Sequence, residues 1–408
     1  MSRIDLWQEE VIEENGFVTI GATLEFSGKN RQHLWYRVPE KHSSILTSSC
    51  DPFVIATIFT AMSRKLDLMV HGEVSPSLLR NLEEFQIIWS AWKPGVYQFV
   101  QVDAEIEREQ SSGNIKSGNI KSGNIEAGNI EEERAISAFS GGVDSGFTAL
   151  RHCRLEQGRR KCNLKAGLMV HGFDIPLHKQ DIFERAAQKS QIMLSSLGME
   201  LIPIATNLRE AITLNWEDIF GAAIVSCLSA VQNGYNKGLV PSGYSYRDTY
   251  PHGSTPYTDS LLSSQSFTIE HDGAKLDRLE KIGELQNWEE ALENLRVCWQ
   301  GEHLDENCGR CEKCIRTILK FRALGHELPP CFPADVTNQQ IFNLRLRRGG
   351  LHSMQHLLNW TDKNPVSESW VQVLRIAVNR NRIVQSVEQS LPHPWQNRLR
   401  KLRAKLRG

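Results

Sequence analysis

The sequence lacks the features that would direct it into a membrane or out of the cell. No apolar run approaches the roughly 18 residues that a membrane-spanning helix needs. The first ten residues, MSRIDLWQEE, carry acids and no apolar signal-peptide core. The formal net charge is only −1 over 408 residues, so no global attraction to nucleic acid or to acidic surfaces is expected. We therefore expect a cytoplasmic protein without a transmembrane segment.

The composition is that of an ordinary globular chain, and its length allows two or three domains. Residues 111–130 repeat SGNIK, SGNIK, SGNIE and AGNIE, a period of five that fits neither a strand nor a helix. We interpret 108–133 as a linker, with a short stacked β structure as the alternative. It separates an N-terminal domain (1–107) from a central domain (134–330), which a C-terminal extension (331–408) follows.

The N-terminal domain is predicted to be α+β. Its strand-like runs are GFVTIGATLEF, HLWYRV, LDLMVHG and VYQFVQV. Prolines 52 and 76 follow Asp51 and Ser75 in the manner of helix starts. His71, Trp89 and Trp92 are candidate site residues in this domain, but a buried or rim position is the favoured explanation for such residues.

The central domain opens with the most informative motif, Ser140-Gly141-Gly142-Val143-Asp144-Ser145, here called the glycine loop. The apolar run AISAF precedes it and the helical stretch GFTALRH follows it. Two glycines permit a sharp turn and close approach of backbone N–H groups to an oxyanion, and a following helix points its N-terminal N–H groups at the same anion. Asp144 would repel a bare phosphate, so it indicates Mg²⁺ between carboxylate and phosphate. The alternative is a common turn, since neither the GxxxxGK[ST] nor the GxGxxG spacing is present.

Strand and helix patterns alternate after the glycine loop. Strands are predicted at KAGLMVHGFD, ELIPIAT and KGLVPSG, and helices at IFERAAQKSQIMLSSLG and DIFGAAIVSCLSAVQNG. Such alternation predicts a mainly parallel sheet covered on both faces, with ligands beyond the carboxyl ends of the strands. The glycine loop lies at such an end, as do 171–174, which includes His171, and 242–246, which includes Ser242.

Nine cysteines, an odd number in a chain without a secretion signal, do not indicate disulfides. Four of them, Cys298, Cys308, Cys311 and Cys314, form a C-x9-C-x2-C-x2-C pattern. Thiolates at this spacing can complete a tetrahedral all-sulfur shell, for which zinc is the preferred metal and an iron–sulfur cluster the alternative. A zinc ion held by four thiolates has no open position for water, so we expect a structural role.

The glycine loop matches the loop of the PP-loop superfamily, the N-type ATP pyrophosphatases. With the four-cysteine knuckle downstream, residues 134–320 resemble the 7-cyano-7-deazaguanine synthase branch. The resemblance implies a five-stranded, mainly parallel α/β sheet, cleavage of ATP to AMP and pyrophosphate, and adenylation of a carboxylate or carbonyl oxygen that ammonia or an amine then attacks. It implies nucleotide binding by the residues Ser140, Gly141, Gly142, Val143, Asp144, Ser145, His171 and Ser242.

Between the fourth predicted strand and the knuckle runs a polar segment, 244–285, that we expect to form the acceptor pocket. Arg247 and His252 are candidates for binding a substrate carboxylate, and Asp259 for joining Asp144 on Mg²⁺. Where the synthases carry a lysine, this chain has Arg278, with Lys281 three residues later. Both could neutralise charge at the α-phosphate.

The C-terminal extension is predicted to be helical and ends in RLRKLRAKLR, where six of ten residues are basic. This stretch suits RNA, anionic lipid or an acidic partner, or a solvated helix packed on its own domain. The absence of a recognisable glutaminase signature implies free ammonia or an ammonia-supplying partner, and a homodimer is an open alternative to a monomer. Two other functions stay open: a tRNA-modifying thiolase, for which Cys153 and Cys162 are the nearest cysteines to the loop, and a sensor that binds ATP without turnover.

Overall fold

The computed structural model describes residues 3–26, 30–110, 133–155, 158–298, 300, 303–364, 366 and 368–390. The chain divides into two compact units, Met1–Trp299 and Gln300–Gly408. The repeats at 111–130 and the basic C-terminal stretch lie outside the described residues. None of the described helices is long and apolar enough to cross a membrane.

The first unit is α/β and is built on one mixed sheet of 11 strands. Its strands, β1 to β11 in chain order, are Arg3–Gln8, Ile12–Glu14, Phe17–Phe26, Asn30–Pro39, Asp67–Val74, Val102–Glu107, Ala135–Ala138, Leu164–His171, Glu200–Thr206, Lys237–Pro241 and Thr268–Asp272. Their order across the sheet is β11-β10-β7-β8-β9-β4-β3-β1-β5-β6, and β2 pairs with β3 at the side.

Five neighbouring strands, from β11 to β9, all run parallel. The chain starts in the middle at β7, adds β8 and β9 on one side, and then returns to add β10 and β11 on the other side. The direction of addition therefore reverses between β7 and β10, and parallel sheets bind ligands at such a switch point. The glycine loop follows β7 and Ser242 follows β10, so both lie at this point.

The other half of the sheet comes from the N-terminal segment. Strand β4 joins β9 in antiparallel fashion through Tyr36 beside Thr206 and Arg37 beside Ala205. The expected five-stranded sheet is therefore wrong as a description of the whole: the five parallel strands are part of a larger mixed sheet. The pairing of β4 with β9 also makes the N-terminal segment and residues 134–298 parts of one unit.

The helices of the first unit, α1 to α8, are Asp51–Arg64, Pro76–Trp92, Val143–Leu150, Gln180–Ser195, Leu208–Ala211, Trp216–Ala230, Arg278–Leu285 and Glu289–Asn294. Helices α1 and α2 carry proline in the first turn, as predicted. One prediction was wrong: the run VYQFVQV is mostly not a strand, since β6 starts only at its last residue. The segment 244–285, which we expect to form the acceptor pocket, contains β11 and the whole of α7.

Aromatic residues of the N-terminal segment occupy different environments. Trp89 is fully buried and packs edge-on against Phe59 and Tyr97, so it is a core residue. His71 stacks on the partly exposed ring of Trp7 and contacts the carboxylates of Asp5 and Glu105 through its two ring nitrogens.

The described part of the second unit is helical. Its helices, α9 to α12, are Glu312–Ala323, Asn338–Phe342, Arg348–Lys363 and Ser369–Ser390. Within the extension that is predicted to be helical, residues 369–390 form one helix, whereas residues 340–352 are divided between α10 and α11 by a break at 343–347. A capping box at Thr337 and Gln340 fixes the start of α10.

Candidate functional site

The glycine loop forms a tight turn between β7 and α3. Gly141 has a φ of +72°, a conformation that favours glycine, and Gly142 is extended at the N-terminus of α3. The backbone N–H of Ser140 donates to Ser145 Oγ at 3.3 Å, and that hydroxyl donates to the carbonyl of Gly142 at 3.2 Å. Ser145 therefore stabilises the turn from inside, while the first turn of α3 offers N–H groups that have no acceptor within the helix.

Two cations face Asp144, the second residue of α3. Lys281 Nζ lies 3.4 Å from Asp144 Oδ1, and Arg278 Nη2 lies 3.4 Å from Asp144 Oδ2. Both cations belong to α7, whose start is set by a capping box between Asp277 and Glu280. Because residues three apart share one face of a helix, the box aims both side chains at the same carboxylate.

Lys281 is the most buried charged group of this cluster, with 1% of its side chain exposed. Its Nζ donates to the Ser242 carbonyl at 2.5 Å and contacts Ser242 Oγ at 2.9 Å. Burial lowers the pKa of Lys281 from its ordinary value, the Asp144 carboxylate opposes that shift, and Arg278 adds to it. The lysine thus links the switch-point ends of β7 and β10 through one ammonium group.

A second carboxylate, Asp272 at the end of β11, binds side chains in and directly after α3. It accepts hydrogen bonds from Thr148 Oγ1 at 2.8 Å, Arg151 Nη1 at 2.5 Å and His152 Nε2 at 3.1 Å. Burial raises the pKa of Asp272, but the His152 hydrogen bond and nearby cations outweigh burial and hold the pKa below its usual value. The sequence analysis did not select Asp272, although an acid at the end of a parallel strand is a recognisable signal.

Arg296 is another residue that the sequence analysis missed. It follows α8 in the buried stretch Leu295–Cys298, called here the 295–298 segment. Its backbone N–H donates to the Gly141 carbonyl at 2.7 Å, and its Nε donates to the Ser140 carbonyl at 3.2 Å. No local pattern marks an arginine at this position, because its partners lie more than 150 residues earlier in the chain.

The other predicted site residues lie in different surroundings. His171, at the end of β8, is buried, stacks on Phe183 and donates from Nε2 to the Pro176 carbonyl at 3.0 Å. Burial lowers its pKa. Arg247 is mostly exposed and contacts Glu280 of α7 at 3.3 Å.

His252 and Asp259 lie in the segment between β10 and β11. The ring of His252 is surrounded by Phe220, Tyr244 and Tyr250. The Asp259 carboxylate accepts hydrogen bonds from Ser254 Oγ at 2.7 Å and the Thr255 N–H at 3.1 Å, and it contacts His271 Nδ1 at 2.7 Å.

His271 and Asp272 are adjacent in β11, and adjacent strand residues point to opposite faces of a sheet. Asp259 therefore lies on the face opposite the one that Asp272 and α3 share. The expectation that Asp259 shares an ion with Asp144 finds no support in this arrangement.

The four predicted metal ligands come together. The sulfur atoms of Cys298, Cys308, Cys311 and Cys314 lie within 4.8 Å of one another. Cys308 Sγ accepts from the Cys311 N–H at 3.2 Å, and Cys311 Sγ accepts from the Cys314 N–H at 3.5 Å. Backbone N–H groups that donate to sulfur stabilise thiolates, so the group is suited to a metal ion that prefers sulfur ligands.

Comparison with protein-family models, curated proteins and solved structures finds no match to this chain. A functional assignment therefore depends on the chemistry of the site itself. The described structure brings together the glycine loop, Ser242, Arg278 and Lys281, and it adds Arg296 and Asp272.

Proposed function

We propose that this chain is an ATP-dependent enzyme that cleaves ATP to AMP and pyrophosphate and transfers the adenylyl group to a carboxylate or carbonyl oxygen. The observation that carries the proposal is the meeting of the glycine loop with Arg278 and Lys281 at the switch point of five parallel strands. Helix N-termini at such points bind phosphate, and two cations nearby favour a polyanion such as a nucleotide.

The roles of the charged groups follow from their positions. The glycine loop and the N-terminus of α3 bind pyrophosphate oxygens through backbone N–H groups, and Ser140 and Ser145 supply hydroxyl groups. Arg278 and Lys281 neutralise the charge that develops on the α-phosphate. Mg²⁺, held by Asp144, would supply further neutralisation of phosphate charge. The contacts of Lys281 with Ser242 keep its ammonium group in place without a large ordering penalty.

The acceptor reaction completes the proposal. A carboxylate oxygen of the acceptor attacks the α-phosphorus, which forms an acyl adenylate and releases pyrophosphate. Ammonia or an amine then attacks the acyl carbon, the bond to AMP breaks, and an amide and AMP result. This is the reaction class of a C–N bond-forming ligase, and it agrees with the resemblance to 7-cyano-7-deazaguanine synthases. Arg247 and His252 are the candidates for holding the acceptor carboxylate.

The four-cysteine group is proposed to hold a structural zinc ion. Four thiolates satisfy a tetrahedral zinc ion completely, so the ion would stabilise the 298–314 region rather than activate water.

Pyrophosphate release from ATP in the presence of candidate small-molecule or peptide carboxylates tests the proposed reaction. We expect Asp144→Ala to abolish release, because the variant loses the carboxylate that faces Arg278 and Lys281. Asp181→Ala is the matched control, since Asp181 occupies the first turn of α4 as Asp144 does in α3, and it is exposed. Equal release by wild type and Asp144→Ala would refute the proposal.

Two further measurements, of ATP binding and of copurified tRNA, separate the alternatives. Tight ATP binding without pyrophosphate release under any acceptor would favour a sensor. Copurified tRNA that is lost when residues 395–408 are deleted would favour a tRNA-modifying enzyme.

A further inference from the structure

The 295–298 segment contacts the glycine loop at two successive residues, Ser140 and Gly141. Arg296 binds the carbonyls of two successive residues, Ser140 through its Nε and Gly141 through its backbone N–H. Only 8% of Arg296 is exposed. A Cβ on Gly142 would lie 3.4 Å from the Arg296 carbonyl, so the segment runs in close contact with the loop.

These two hydrogen bonds decide where the loop N–H groups point. In a trans peptide unit the carbonyl of one residue and the N–H of the next lie in one plane and point in opposite directions. Both peptide units are trans, since the described residues include no cis peptide bond. When Arg296 holds the carbonyls of Ser140 and Gly141, the N–H groups of Gly141 and Gly142 must therefore point away from Arg296.

The conformation of Gly141 suits this pair of N–H groups to an anion. Gly141 has a φ of +72°, and a turn that contains such a residue can bring successive N–H groups to one concave side, where an oxyanion is bound. Without a partner for the two carbonyls, the peptide planes could rotate and turn their N–H groups away from the ligand.

We propose that Arg296 is a positioning residue for nucleotide binding: it holds the glycine loop in the conformation in which the N–H groups of Gly141 and Gly142 converge on a phosphate oxygen. This inference rests on the proposed function, because it assumes that the loop binds the phosphates of ATP. It also assigns the buried guanidinium a role in the electrostatics of the site, since its positive charge lies directly behind the loop.

Variants of Arg296 test the proposal in the full-length chain. Arg296→Ala removes the Nε hydrogen bond and the charge but keeps the backbone bond to Gly141. We expect the affinities for ATP and for inorganic pyrophosphate to fall about tenfold or more, as the loss of a charge-assisted hydrogen bond predicts. Arg296→Lys should recover part of the loss, because an ammonium group can reach a carbonyl but lacks the guanidinium geometry. Arg160→Ala is the matched control, since the Arg160 side chain is exposed and contacts Glu270 at the long distance of 3.4 Å.

Hydrogen exchange of the loop amides, measured without nucleotide, supplies the second readout. We expect Arg296→Ala to accelerate exchange at residues 140–146 and to leave exchange in β8 unchanged. Unchanged loop exchange and unchanged affinity in a folded Arg296→Ala variant would overturn the proposal. If wild type binds neither ATP nor pyrophosphate, the proposed function fails, but the exchange readout still decides whether Arg296 holds the loop.

Discussion

The substitution of alanine at Gly141 in the glycine loop and at Gly146 in α3 should have opposite effects. Gly141 has a φ of +72°, and an added Cβ would lie 3.0 Å from Ser190 Oγ. Gly146, one turn into α3, has no such restriction, and the nearest atoms to its added Cβ would lie 3.7 Å away. The chemical change is identical, so any difference in outcome reports the local backbone.

The expected magnitudes follow from these geometries. A residue with a Cβ pays about 1–2 kcal/mol in the left-handed region, and rotation of the Ser190 side chain can relieve the remaining contact. If this free energy disfavours the binding conformation of the loop in Gly141→Ala, ATP affinity should fall roughly 5- to 30-fold, since about 1.4 kcal/mol is a factor of ten. Gly146→Ala should instead stabilise α3 by about 0.5–1 kcal/mol, because alanine is the better helix residue.

Titration of ATP into each variant by calorimetry measures the first effect, and the thermal unfolding midpoint measures the second. We expect Gly141→Ala to bind weakly and to unfold at a lower temperature than wild type. Gly146→Ala should bind normally and unfold at the same or a higher temperature. Wild-type affinity and stability of Gly141→Ala would show that the left-handed conformation of Gly141 is not required, and would refute this reasoning.

Three further predictions concern the charges and the metal ligands. Because burial lowers the pKa of Lys281, its ammonium should lose its proton at a lower pH than an exposed lysine, so ATP affinity should fall as pH rises; Lys281→Arg should retain affinity to higher pH, and identical pH profiles of the two proteins would contradict this. Asp272→Asn should lower the free energy of unfolding by about 3 kcal/mol in denaturant titrations, because it leaves Arg151 without its buried carboxylate; a loss below about 1 kcal/mol would mean that the ion pair is dispensable. Elemental analysis should find zinc in the purified protein and none in Cys314→Ser, whereas equal metal content of the two would exclude the four-cysteine site.

Local patterns predicted the core of the central region well. The strands β7 to β10 and the helices α4 and α6 fall where strand-like and helical patterns occur, because hydrophobic periodicity depends on neighbouring residues alone. The glycine loop and the four-cysteine spacing were likewise recognisable, since each is a short motif whose chemistry depends on residue types at fixed intervals. Strand β11 was missed, because five residues inside a long polar segment give a weak alternation signal.

Tertiary structure decided how these pieces meet. The pairing of β4 with β9 joins Tyr36 to Thr206 through hydrogen bonds between chain segments that carry no mutual sequence signal, and it extends five parallel strands into an 11-stranded sheet. The hydrogen bonds of Arg296 to the glycine loop and of Asp272 to α3 likewise join distant segments that carry no mutual sequence signal. Asp259 shows the opposite outcome, since the sequence suggested a place beside Asp144 that the fold does not give it. Its partner His271 points to the opposite face of the sheet from Asp272, because side chains alternate along β11.

The sequence by itself determined which chemical groups this protein offers: a glycine-rich turn with an acid beside it, and four cysteines at metal-binding spacing. Only the tertiary structure determined that Lys281 and Arg278 face Asp144 and that Arg296 holds the loop carbonyls. The physical reason is that residue type and spacing set local conformation. The partner of a buried charge, by contrast, is set by which distant segments the packing of the sheet and its helices brings within hydrogen-bonding distance.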